Sequence, residues 1–177
     1  MNSRESKKQA AAHTPSGIET LLDLLSDAGL LVGILIVLYF RPMLPSSIAS
    51  HFSLSGMPDG WSDSSTLLIF PLVSIVCYLV LVLFNRNPRA LSFSWSVSET
   101  ADSDQRRLAS LCFRWLKLQV FWLFVYLEWK IIMISMGKAE GLGAAFLPTV
   151  LVTMLGTFYY FYIKAKYSLV NAKNSPN

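Results

Sequence analysis

The sequence predicts an all-α integral membrane protein: a four-helix transmembrane bundle with an ordered extracytoplasmic loop between helices one and two. Three observations predict it. The composition is oily, with 53% hydrophobic and only 15% charged residues among 177, where soluble domains carry about 25% charged residues; mean hydropathy is +0.46. The apolar residues are blocked into long runs rather than dispersed at helical spacing. The basic residues lie asymmetrically about those runs.

A helix needs roughly 20 mostly apolar residues to cross a bilayer. Residues 1–20 are polar and are expected to form a cytoplasmic tail, with disorder near Met1 to Ser16. The first span is 21–40, "LLDLLSDAGLLVGILIVLYF". Asp23 and Asp27 in its first turns suit the interface and the positive end of the helix dipole. Gly29 and Gly33 form a small-xxx-small pair that permits close helix packing, within the bundle or between copies. No small-residue cleavage site follows, so this helix is expected to be retained.

The second span is about 66–84, and Leu67 to Phe84 carries no charge. The third, 116–136, holds Glu128 and Lys130; the fourth, 144–163, is again uncharged. These spans make 21–166 one membrane domain, with a tail at 167–177 expected to be disordered from Lys173. Between spans two and three, "ALSFSWSV" alternates like a short strand. "SETADSDQRRL" then starts a helix leading into span three. Cys77 and Cys112 lack metal-site spacing and read as packing residues.

Twelve of the fifteen basic residues fall on one side of the spans, among them Arg86, Arg114, Lys117 and Lys164. Cytoplasmic loops carry such an excess, so both termini are expected in the cytoplasm and loop 41–65 outside, in a plasma or bacterial inner membrane. The basic pI of 9.1 then needs no nucleic acid; anionic lipid accounts for it.

The loop "RPMLPSSIASHFSLSGMPDGWSDSS" is rich in turn formers. "MPDGW" reads as a turn, with Pro58 at its first corner and Asp59-Gly60 completing it. "SSIASHF" reads as a short helical or extended piece. Ile48, Phe52, Leu54 and Trp61 can pin the loop to the membrane surface or to the bundle.

"LPSSIASHFSLSGMPDGWSDSSTLLIFP" resembles the signature of the membrane family known as domain of unknown function 1648. The matching positions are Leu44, Pro45, Ile48, His51, Phe52, Gly56, Pro58, Asp59, Gly60 and Trp61. Ser53 and Ser62 stand where the family usually has asparagine and glycine. "NPRALSFSW" resembles the Asn-Pro stretch after the second helix in many members, with serines replacing the second asparagine and proline. The resemblance covers roughly residues 30 to 100. It implies kinship with immunity and signalling proteins of a bacterial toxin system that delays sporulation. Those carry a further membrane region after the shared domain. Four spans are read here, so immunity carries over poorly.

Candidate chemistry concentrates on few residues. His51 can bind a ligand, act as acid or base, or simply bond the loop backbone while Asp59 closes the turn. His51, Asp59, Asp63 and Glu128 are candidate metal ligands without a known ligand spacing. Glu128 lies about two turns from the outer end of its helix, and an ionisable group inside a membrane suggests function. It is read as paired with Lys130, Arg41 or a helix hydroxyl, as part of one polar outer site with His51 and Asp59, or as lining an ion path. There is no phosphate loop, nucleophile motif, zinc-helix motif or cysteine cluster, so an enzyme is the disfavoured class.

The function expected is therefore that of a sensor, immunity-like or accessory protein, binding a ligand, peptide or protein through His51, Phe52, Asp59, Trp61 and Glu128. The rivals are a small oligomeric transporter using Glu128 and a metal-dependent membrane enzyme using His51, Asp59 and Glu128. No cofactor is expected, with a metal ion left open. The expected partners are the lipid bilayer and a membrane or extracytoplasmic peptide or protein, with self-association open and no nucleic acid.

Overall fold

The computed structural model describes residues 16–86 and 103–174. Four long helices dominate: α1 (Gly17–Phe40), α2 (Ile69–Arg86), α3 (Ser103–Ser135) and α4 (Phe146–Asn174). Their apolar stretches, Gly17–Met43, Ser64–Leu83, Arg107–Ser135 and Phe146–Tyr167, are each long and apolar enough to cross a membrane. Large apolar side chains stand exposed along them, among them Leu35, Leu72 and Val152. Contiguous apolar surface on this scale suits lipid rather than water. These are candidate membrane-spanning helices, and they make the chain a membrane protein.

α1 begins at a cap: the Ser16 backbone N–H donates to Glu19 Oε2 at 3.1 Å, the reciprocal half of a capping box. Its buried residues are Glu19, Leu22, Ser26, Gly29, Gly33 and Val37. Steps of three and four put them on one face, and that face packs on α3. The two helices run parallel, since residues further along α1 meet residues further along α3, from Asp23 with Arg114 to Phe40 with Trp129. α2 packs against both helices, and α4 leans on α3 alone among the helices with extensive contact. α3 has 33 residues, or about 50 Å at 1.5 Å per residue. It therefore exceeds a bilayer's hydrocarbon core, and the helix expected to lead into span three is one piece with it.

The all-α expectation needs one correction. The segment between α1 and α2 contains an antiparallel hairpin of β1 (Ser47–Phe52) and β2 (Pro58–Asp63). The turn lies elsewhere than expected. It is formed by Leu54, Ser55 and Gly56: Gly56 N donates to Ser53 O at 2.9 Å, and Ser53 N donates to Met57 O at 2.9 Å. Gly56 has φ +79°. This is the three-residue hairpin loop in which a left-handed glycine closes a tight turn. Pro58 instead opens β2, a position a strand tolerates. Gly60 sits opposite His51, where a Cβ would come within 2.8 Å of the His51 Cβ. Its glycine serves close strand approach, not turn geometry.

Ile48 is buried with Val37, Leu67, Ile131 and Ile132, which seats the hairpin on the ends of α1 and α3. Ala49 packs with Ile134 and Leu142, and its backbone N–H donates to Ser135 Oγ at 3.2 Å. β1 is thus the inner strand. Of the four residues expected to pin the loop, Ile48 and the half-buried Phe52 do so on the bundle, whereas Leu54 and Trp61 are exposed. α3 ends in a Schellman cap at Gly137, φ +70°, with Lys138 N donating to Met133 O and Gly137 N to Ile134 O. The strand expected over "ALSFSWSV" and the tail before Ser16 lie outside the described residues.

Candidate functional site

Two places on the molecule concentrate polar chemistry, and the hairpin is the first. Its ladder is irregular on both sides of His51: Ala49 pairs with Trp61, His51 with Gly60 and Phe52 with Pro58, so Ser50 and Asp59 fall between paired positions. Such bulges re-aim side chains. Here they bring His51 Nδ1 to 2.5 Å from Asp59 Oδ1 on the outward side of the hairpin. Beside this pair, Ser62 Oγ donates to Ser50 Oγ at 2.8 Å. Asp59 therefore does not close a turn; it pairs with His51 across the strands. Trp61 is 54% exposed.

Asp63 does separate work at the end of β2. Its Oδ1 accepts from Ser65 N at 2.8 Å and caps the short 3-10 turn Ser64–Leu68. Hydrogen bonds from the Ser65 side chain and backbone, with the charge of Arg41 adding to them, hold its carboxyl below the usual carboxylate range.

The second place is the seam between α1 and α3. In one half, three acids of α1 meet three bases of α3. Asp23 accepts from Arg114 at 2.7 Å and from Lys117 at 2.8 Å. Lys117 also reaches Asp27 at 3.5 Å, and Glu19 lies 3.8 Å from Arg107 and 4.0 Å from Arg114. Lys117 further sits over the Tyr78 ring of α2, 5.6 Å from its centroid. In the other half, Glu128 is buried against α1, where a Cβ on Gly33 would lie 2.7 Å from Glu128 Oε2. That oxygen has no hydrogen-bond partner among the described residues. The pairing of Glu128 with Lys130 does not form: Lys130 Nζ lies over the Tyr126 ring at 5.9 Å. Between the halves, Gly29 lets Phe121 and Trp122 close on α1, and Trp122 Nε1 donates to Leu25 O at 3.1 Å.

The structure thus brings His51 and Asp59 together and leaves Glu128 and Asp63 apart from them. Among the described residues no three His, Cys, Asp or Glu side chains gather to hold a metal. Phe52 is spent on packing. Gly29 and Gly33 both serve packing within the chain, as positions of α1 where α3 approaches closely. The ion-pair ladder was missed by sequence reasoning, which treated Asp23 and Asp27 as dipole partners and Arg114 and Lys117 as free basic charge. The signal was present: Glu19, Asp23 and Asp27 recur every four residues, and Arg107, Arg114 and Lys117 recur at seven and three, each on one helix face.

A membrane-helix pair capped by a docked hairpin is the architecture around these groups. Residues 28–75 match the model of the family described as Domain of unknown function (DUF1648). The match runs from the second half of α1 through the hairpin into α2. It includes Gly33, His51, Asp59 and Trp61 and ends before Glu128. No curated protein and no solved structure matches the chain.

Proposed function

We propose that this chain is a multi-pass membrane protein of sensor, immunity-like or accessory type, whose hairpin recognises a peptide or protein partner. One observation supports the reading above all. The hairpin is docked by its inner strand, through Ile48, Ala49 and the Ala49–Ser135 hydrogen bond, while the His51–Asp59 pair and Trp61 face outward. A docked platform with an aromatic anchor and oriented polar groups binds at a reduced ordering cost. The basic excess at the opposite end of the bundle supports a hairpin outside the cell and cytoplasmic termini.

The test combines topology and capture. A cysteine replacing the exposed Ser50 should react with an impermeant maleimide added to intact cells, and a photo-crosslinker at Trp61 should give one discrete adduct that His51→Ala abolishes. Reaction only after lysis would reverse the orientation. An adduct indifferent to His51 would remove the hairpin's outward face from recognition.

A second reading keeps its support from Glu128, a sealed carboxyl with an unpartnered oxygen inside a span. As a transporter the chain would show ion or proton flux in proteoliposomes that Glu128→Gln eliminates.

A further inference from the structure

The hairpin spends most of its apolar side chains on the bundle, but not those of its turn. Leu54 is 90% exposed, while Met57, just past the turn, is half-exposed with its Sδ against Gly141. A lone exposed leucine means little in general; the position of this one gives it meaning. The turn is fastened by backbone to the connection between α3 and α4, where Leu142 N donates to Gly56 O at 2.8 Å. The fit is tight, because a Cβ on Gly141 would fall 2.5 Å from that same oxygen. Leu142 lies only seven residues past Ser135, where the apolar stretch of α3 ends, and four before Phe146, where that of α4 begins. The turn is therefore held at the level where two spans leave the hydrocarbon, which is the headgroup layer of a bilayer. The first turns of α4 expose Leu147, Leu151 and Val152, so apolar surface adjoins the fastening point.

We propose that the turn of the hairpin, led by Leu54, inserts into the interfacial layer of the lipid bilayer, while the His51–Asp59 pair stays in water. The partner of the turn is thus the lipid surface itself. The lipid contact and the docking on α3 then hold the hairpin at two points, and its outward face keeps one orientation relative to the membrane. This inference rests on the four spans and not on any partner of the hairpin.

The experiment is a pair of spin labels in phosphatidylcholine vesicles, one at Leu54→Cys and one at His51→Cys, with Cys77 and Cys112 replaced by alanine. Collision with oxygen, which concentrates in lipid, is compared with collision with a water-soluble nickel chelate. The oxygen-to-nickel ratio is expected to be several-fold higher at position 54 than at position 51. Equal ratios at the two positions would overturn the proposal, since the turn would then stand in water. A label at 54 immobilised and shielded from both reagents would also overturn it, by showing that protein and not lipid covers the turn. A ketone-bearing amino acid carrying the label at each position gives the same comparison with both native cysteines kept, should their replacement prevent folding.

Discussion

The two halves of the α1–α3 seam treat charge in opposite ways. Toward the start of both helices, Glu19, Asp23 and Asp27 face Arg107, Arg114 and Lys117 in a continuous ladder. The side chains of Asp23 and Asp27 are 34% and 47% exposed, so solvent or headgroups share in stabilising them. Toward the other end, Glu128 is 1% exposed and packed against Gly33. Phe121 and Trp122, closing on Gly29, separate the two regions. In the ladder the most deeply buried groups, Glu19, Arg114 and Lys117, each face an opposite charge that offsets their desolvation, whereas a sealed acid without a counter-charge recovers none of its own. The ladder thus holds the helices in parallel register, and Glu128 is not explained by stability.

The largest expected effect tests how closely the Glu128 half is packed. Gly33→Leu drives a side chain into the space held by the Glu128 carboxyl and should destabilise the protein by about 3 kcal/mol, read as a lower melting temperature in detergent. Little change would mean that the seam opens easily there.

An intermediate effect sharpens the contrast in sign. Asp23→Asn leaves Arg114 and Lys117 short of their shared acceptor charge and should cost about 1–2 kcal/mol, between the exposed and buried limits for ion pairs. Glu128→Gln replaces a carboxyl that makes no ion pair among the described residues, and should be neutral or mildly stabilising in the same melt. A larger loss from Glu128→Gln than from Asp23→Asn would erase the distinction between the halves.

The smallest effect comes from a carboxylate outside the seam. Asp63 has its folded pKa lowered by Ser65 and Arg41. Its contribution is therefore present above the unfolded pKa and lost as pH falls through the lower folded value. Asp63→Ala should melt slightly below the wild type at neutral pH, and the gap should close below about pH 4, the ordinary aspartate range. A gap that persists in more acidic solution would mean the side chain acts through packing and not charge.

Much of this was legible in the chain and some was not, for reasons that differ by element. The four spans follow from long apolar runs such as the uncharged Leu67 to Phe84, and the third is legible despite Glu128 and Lys130 within it. Gly29 and Gly33 announced a close helix approach. The residue pattern puts a turn at Pro58-Asp59-Gly60 and no hairpin, whereas the chain turns at Gly56, which carries the positive φ. A glycine serves either backbone freedom or close approach, and the local sequence does not say which. The meeting of His51 with Asp59 depends on two ladder irregularities, which leave no mark in the residue pattern.

By itself the sequence determined the membrane class, the number of spans and the presence of a compact segment between the first two, because hydropathy and turn preference act residue by residue along the chain. Tertiary structure alone decided which acids of α1 met which bases of α3, that Gly33 faced Glu128 and that the hairpin rested on Leu142. Those contacts join residues far apart in the chain, and they follow from how helices and strands register against each other in space.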